Sequence, residues 1–289
     1  MDNKRVLIAW LLVGPALLLR IFTVLYPMAA TFIYSFMDYN MIGRTKNFNG
    51  LMNYVNMLSD SNIQDTIRFT IIFTLVSIAL HIVIGIALAL MLNIQFRGRK
   101  FLRSIVLIPW AVPMIVAGIA AQWAFNDTYG MVNDIISRFI TGFKFEWLVS
   151  ALGSQFAVIG VDVWKDTPFF AILVLAGLQS IPHELYESAR MDGAGIMRIF
   201  WKITLPFVKR LIITLTIFFA LWRLTGFDLV YAMTQGGPGA ATSLISYRVT
   251  VEAFKNLNFG YASSIAVLLF VIMIAVASVG SFMQKKLDY

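Results

Sequence analysis

The sequence predicts an all-α membrane protein with six transmembrane helices. Three observations predict it. Of 289 residues, 59% are hydrophobic and only 13% are charged, more apolar surface than a soluble chain of this length has interior to hide. The apolar residues come in runs of about 20 or more, not in the short alternating segments of a transmembrane barrel. Lys and Arg gather at alternate ends of these runs, as inserted helices require.

The spans are expected, in order, at 8–36, 67–93, 104–125, 156–179, 207–232 and 263–283. The first follows Lys4 and Arg5. It is too long for a signal-peptide core and ends in no small-residue cleavage site, so a retained helix is expected. Pro15 and Pro27 are candidate kinks, tolerated in a membrane where neighbours satisfy the freed carbonyls. One set of span ends carries Lys4, Arg5, Arg97, Arg99, Lys100, Arg103, Arg190, Arg198, Lys202, Lys209, Arg210, Lys285 and Lys286. The opposite set carries Arg44, Lys46, Arg68, Arg138, Lys144, Arg248 and Lys255. The richer set belongs inside. Both termini and the loops near 94–103 and 180–206 are then cytoplasmic, and the loops near 37–66, 126–155 and 233–262 face out. The expected organisation is a leading helix with the first outer segment (1–66), a membrane domain (67–284) and a short cytoplasmic tail (285–289), without a separate soluble domain.

Composition also limits the chemistry. There is no cysteine and there are two histidines, so thiol catalysis, disulfides and a His or Cys metal cluster are excluded. No G-x-x-x-x-G-K-[ST] segment offers a phosphate cradle, and no Ser, His and Asp pattern suggests hydrolysis. The chain reads as a non-enzyme without its own cofactor, driven by a partner or an ion gradient. The net charge of +8 belongs to basic cytoplasmic loops and not to nucleic-acid binding.

The most informative segment is the cytoplasmic loop from Glu184 to Arg210. Ser180 is the expected cap of a short helix, with Pro182 and Glu184 in its first turn. Gly193 is the expected stop, because glycine accepts the left-handed conformation that closes a helix. A second short helix is expected from Ala194 to about Ile203, with Pro206 opening the fifth span. Glu187 and Arg190 stand one turn apart and can brace each other. On residue chemistry alone, the loop reads equally as a docking knob or as an amphipathic anchor in the lipid headgroups.

The spacing carries more. Glu187-Ser188-Ala189, then Gly193 after three residues, then Ile203-x-Leu205-Pro206 after nine, resembles the E-A-A---G---------I-LP loop of ATP-binding-cassette importer permeases. Ser188 stands where that family usually has Ala. The stretches Trp164–Ala194, Phe227–Pro238 and Asn258–Ala266 are similar to the maltose-type carbohydrate permeases, and the likeness extends from about residue 67 to 284. The resemblance implies a type I importer permease fold with cytoplasmic coupling helices. It implies pairing with a second, homologous permease, and two ATPase subunits below that carry ATP and Mg. Each ATPase takes a loop containing Glu187, Ser188, Ala189, Asp192, Gly193, Ile203, Leu205 and Pro206 or its counterpart. It further implies an extracytoplasmic solute-binding protein and residence in the inner membrane of a prokaryote.

Ionisable residues within spans are costly and default to functional candidates. Asp162, Lys165 and Asp166 share a face of the fourth span, with Lys165 expected between two carboxylates; the other reading is an interfacial charge cluster. Trp222, Arg223, Asp228 and Tyr231 are expected in the fifth span, where planar donors and aromatic faces suit a sugar, though Arg223 reads equally as a structural ion-pair partner. Gln122, Trp123 and Asn126, at helical spacing, could line the same cavity or belong to the interfacial belt. His81 is expected as an interhelical hydrogen bonder, and Arg20 as a packing residue. The alternatives to a sugar importer permease are an importer of another polar solute (a polyol, sugar phosphate or amine), a secondary transporter and a passive anchor. Paired broken spans, which a secondary transporter would carry, are not evident.

Overall fold

The computed structural model describes residues 3–286, and side chains from residue 10 onward. In chain order, α1 (Asn3–Arg20) runs through a π-helical turn (Ile21–Leu25) into α2 (Tyr26–Tyr34). A hairpin of β1 (Met37–Asn40) and β2 (Thr45–Phe48) follows, then α3 (Met52–Ser59) and the long α4 (Ser61–Asn93). Next come α5 (Arg99–Val106), α6 (Ile108–Ala111), α7 (Met114–Ala124), α8 (Met131–Phe139) and α9 (Ala151–Leu178). The loop helix α10 (His183–Met191) precedes α11 (Ile196–Ile199), a π-helical turn (Phe200–Thr204) and α12 (Leu205–Thr225). The chain closes with α13 (Asp228–Met233), α14 (Ile245–Thr250), a third π-helical turn (Val251–Lys255) and α15 (Phe259–Lys285). Lys286 lies just past this helix, and the remainder of the expected tail, 287–289, lies outside the described residues.

Four continuous helices, Trp10–Tyr34, Ser61–Asn93, Ile196–Thr225 and Phe259–Lys285, are long and apolar enough to cross a bilayer. The third expected span is instead a bent pair, Arg99–Ala111 and Met114–Ala124, at 83°. Pro113 causes the break: it has no N–H to give and forces Val112 into extended backbone (φ −70°, ψ 130°). Helix α9 is 28 residues long and interrupted in composition by Asp162, Lys165 and Asp166.

Two other prolines do not break their helices. Pro27 and Pro206 each stand just beyond a π-helical turn. Tyr26 N–H reaches back to the Ile21 carbonyl, and Leu205 N–H to that of Phe200. The wider turn absorbs the extra residue, so the helix axis continues where an i−4 ladder would have failed. The expected short helix at 194–203 is therefore the lower end of the fifth span, which runs continuously from Ile196. That span also ends early. Gly226 is extended (φ −70°, ψ 128°), and α13 restarts as a separate helix.

The chain divides into two compact units: the residues up to Ser61 with Arg248–Phe270, and Asn62–Tyr247 with the segment from Val271. In the first, the hairpin is antiparallel with Met37 opposite Phe48, the only sheet among the described residues. Asn40 turns it by accepting from the N–H groups of Ile42 and Gly43, both at 2.9 Å. Asn53 Nδ2 donates to the carbonyls of Ser35 and Met37, each at 2.9 Å. Around α1 and α2 the large apolar side chains, Leu12 and Phe22 among them, are exposed. That surface suits lipid or a partner helix.

In the second unit α9 is the spine, buried on most of its circumference and exposed along the stripe Leu152, Phe156, Gly160 and Trp164. Its first half packs with Phe69, Phe73, Ala121, Leu229, Val230 and Met233, and its second half with Ala89, Leu92, Val208, Ile212, Leu215 and Phe219. Gly118 fixes the seat of α13 on α7, because a Cβ there would stand 2.7 Å from the Ala232 Cβ.

Candidate functional site

Two features of the second unit hold candidate functional residues. The first is the loop helix α10. Its first residue follows Pro182, whose backbone is extended (φ −58°, ψ 134°). Ser180 is not the cap: its hydroxyl donates to the Gly177 carbonyl at 2.8 Å, closing α9 instead. Glu184 sits in the first turn and Arg190 in the last, matching the helix dipole. Gly193 is left-handed (φ +76°). The N–H of Ala194 then returns to the Ala189 carbonyl at 2.9 Å, and that of Gly193 to Arg190 at 3.0 Å, the double closure of a glycine-terminated helix.

Glu187, Ser188, Asp192 and Gly193 are exposed, and Ala189 is half-buried. Met191 and Ile196, both 89% exposed, flank the turn with Met197 and Trp201. At its root the loop is anchored. Ile203, Leu205 and Tyr186 pack on the lower core of α9 and α12, and the Tyr186 hydroxyl lies 3.3 Å from Thr204 Oγ1. Pro206 opens α12 on the exposed side. The result is a short helix with an apolar tip, fastened to two long helices at its base.

The second feature is a buried ion cluster beneath a cavity. Arg223, on α12, donates through Nε to Asp162 at 2.9 Å and through Nη2 to Asp166 at 2.7 Å. Lys165 Nζ donates to Asp166 Oδ1 at 3.2 Å and faces the Trp110 carbonyl at 3.4 Å. His81, on α4, places Nδ1 2.9 Å from Thr167 Oγ1 and Nε2 within 3.2 Å of both Asp162 and Arg223 Nη2. His81, Asp162, Lys165, Asp166 and Arg223 are all buried. Charges so placed survive only when paired and hydrogen-bonded. The expectation of Lys165 between two carboxylates is corrected: it meets Asp166, while Asp162 turns to Arg223 and His81. The one-turn offset of Asp162 and Asp166 matches the fork of a guanidinium, and an ammonium cannot span it. The cluster joins α4, α9 and α12 in the interior of the unit. His81 makes the interhelical contact expected of it.

Above this cluster lies a cavity of 320 Å³, bordered by Phe73, Trp110, Val112, Pro113, Asp162, Lys165, Trp222, Arg223, Asp228 and Leu229. Trp110 stacks on Phe169 with centroids 4.5 Å apart and planes 10° from parallel. Asp228 is not within the fifth span as expected; it stands in the first turn of α13, after the break at Gly226. Tyr231 is exposed on the same helix, against Phe227, and does not border the cavity. Nor do Gln122, Trp123 and Asn126. Gln122 is exposed, Trp123 borders a separate, apolar groove, and Asn126 Oδ1 accepts from Thr128 N–H at 2.9 Å in a local turn. The bend at Pro113 stands between Trp110, which borders the cavity, and these three. Trp110, Phe169 and Thr167 were not foreseen. The prolines at 109 and 113 bracketing Trp110 were the available signal for a bend there.

Residues 81–288 match the family described as binding-protein-dependent transport system inner membrane component. The chain is 36% identical over 275 residues to the sulfoquinovosyl glycerol transport system permease of Agrobacterium fabrum, covering 94% of this chain and 89% of that one. It is 38% identical over 273 residues to the trehalose/maltose transport system permease of Thermococcus litoralis, covering 93% and 90%. It is 30% identical over 285 residues to an sn-glycerol-3-phosphate transport system permease of Agrobacterium fabrum, covering 98% and 97%. Its fold is that of a chain in a bacterial alginate ABC transporter solved with an alginate-bound periplasmic protein. The TM-score is 0.86, identity 21%, and coverage 99% of this chain and 96% of that one. The chain therefore belongs to the binding-protein-dependent transport system inner membrane components, the permease subunits of ABC importers.

Proposed function

We propose that this chain forms half of the transmembrane path of an ATP-driven sugar importer, with α10 seated in a cytoplasmic ATPase subunit. The observation that carries the reading is the build of the 183–206 loop. A helix closed by a left-handed glycine, with Met191, Ile196 and Met197 exposed around its closing turn, is pinned at its base to α9 and α12 through Tyr186 and Thr204. An apolar tip of this size is a docking surface, and a stiff base transmits displacement to the helices that bear the cavity. A headgroup anchor would need no such base. The complete complex pairs this chain with a homologous permease, two ATPase subunits that bind ATP and Mg, and an extracytoplasmic solute-binding protein. The six expected spans are counted by adding α9 and the bent pair to the four apolar helices. Both termini and α10 are then cytoplasmic.

Three of the named relatives are named for polyhydroxylated solutes or their derivatives, and the Trp110, Trp222 and carboxylate lining suits a sugar's hydroxyls and ring face. The test is reconstitution of the complex encoded with this chain in proteoliposomes, measuring ATP hydrolysis stimulated by the sugar-loaded binding protein. Maltose and trehalose are the first probes. Stimulated hydrolysis coupled to uptake is expected. Uptake driven by an ion gradient without ATP would contradict the reading.

A further inference from the structure

Resting on the reading above, we infer that the 320 Å³ cavity takes an uncharged polyhydroxylated solute and turns away sulfonated and phosphorylated ones. The inference comes from the charge balance of its walls. Two cations border it, Lys165 and Arg223, and each is already paired with a carboxylate. Arg223 is held by Asp162 and Asp166 at 2.9 and 2.7 Å, and Lys165 by Asp166 at 3.2 Å. A third carboxylate, Asp228, borders the same cavity, half-buried and with no ion-pair partner among the described residues. The Lys, Arg and Asp side chains of the cavity and the cluster beneath it thus carry two positive and three negative charges.

An anionic headgroup brought here would face the unpaired Asp228 across the cavity, and the two cations it could meet are already held in buried pairs. Breaking such a pair leaves a buried charge unmatched. A neutral sugar avoids both penalties. Its hydroxyls donate to Asp228, which has open acceptor positions. Its apolar ring face lies on Trp110 or Trp222, which are 36% and 39% exposed. The volume is at the small end of the roughly 300–1,000 Å³ typical of small-molecule pockets.

The test uses the assembled complex in nanodiscs without its binding protein, so that selection by the permease is read alone. Maltose, trehalose, sulfoquinovosyl glycerol, sn-glycerol-3-phosphate and spermidine are titrated against intrinsic tryptophan fluorescence. Trp110→Phe and Trp222→Phe assign the signal to the cavity. The expected result is a saturable change with a neutral disaccharide that the two variants diminish, and none with either anion at tenfold higher concentration. Asp228→Asn should weaken the disaccharide response severalfold and reduce the discrimination against anions, and Asp228→Lys should reduce it further. Equal or tighter binding of an anion or of spermidine to the unaltered complex would overturn the inference. So would an absence of any cavity-dependent response in a complex whose ATPase remains coupled. Loss of coupling itself, read separately as ATP hydrolysis, would instead strike the proposed docking role of α10.

Discussion

The loop helix α10 and the ion cluster of α4, α9 and α12 lie in one compact unit and are built on opposite principles. The cluster is saturated: five buried ionisable side chains satisfy one another within 3.2 Å. The loop helix is unsaturated: its tip is apolar and exposed, and its contacts within the chain are confined to its root. Residues that complete their partners internally determine the fold of the chain. On the proposed reading, residues left incomplete are finished by another molecule. Substitutions in the two regions should therefore separate stability from coupling.

The largest effect on stability is expected from Arg223→Ala. It strands Asp162 and Asp166 in the interior, and one lost partner of a buried pair costs about 3–5 kcal/mol. The thermal unfolding midpoint of the purified complex should fall sharply. Arg223→Lys should restore part of it, since an ammonium serves one carboxylate and not both. If Arg223→Ala unfolds at the original midpoint and alters transport only, Arg223 is a solute ligand and not a brace.

Gly193→Pro and Glu187→Lys should show the converse. Coupled ATP hydrolysis and uptake are lost while the midpoint of the membrane domain is kept. Proline cannot adopt φ +76°. Gly193→Asn, which tolerates the left-handed region, should retain coupling, and Gly193→Ala should fall between, with a backbone cost of about 1–2 kcal/mol. A parallel loss of midpoint and coupling in these variants would erase the distinction between the regions.

Gly118→Val tests the link from packing to cavity. The new side chain would be driven into the 2.7 Å gap to Ala232, and overpacking of this kind costs about 1–3 kcal/mol. Displacement of α13 would move Asp228, so solute affinity should fall along with the unfolding midpoint. The smallest effect is expected at the exposed pair Asp134–Arg138, 2.7 Å apart one turn along α8. Asp134→Asn should change stability by less than about 0.5 kcal/mol, as measured by the same unfolding midpoint.

The two regions also differed in how far the sequence revealed them. The loop was legible because its meaning is local: Glu187, Ala189, Gly193 and Pro206 sit at fixed spacings along one segment, and Gly193 adopts the conformation its position demanded. The membrane class was legible because hydrophobicity sums over long runs. The cluster was only half legible. Asp162, Lys165 and Asp166 could be seen to share a helix face, but which of them met Arg223 depended on α12 lying against α9, a contact 57 to 61 residues distant in sequence. Helix continuity was misjudged at proline and glycine for a similar reason. Pro113 broke a helix while Pro27 and Pro206 did not, because only the latter two follow a π-helical turn that accommodates the missing donor. Gly226 stopped α12 before Asp228, moving that carboxylate from the body of a span to a cavity rim.

The docking role of α10 is tested most directly by cross-linking. The chain has no cysteine, so Ser188→Cys introduces a single reactive position on the exposed face of that helix. In the assembled complex, a short bifunctional reagent at this position should join the chain to its ATPase subunit, with an efficiency that changes between nucleotide-free and ATP-bound states. Labelling of Ser188→Cys by a membrane-impermeant thiol reagent from the outer side, or cross-links to lipid alone while the complex hydrolyses ATP and transports, would contradict it.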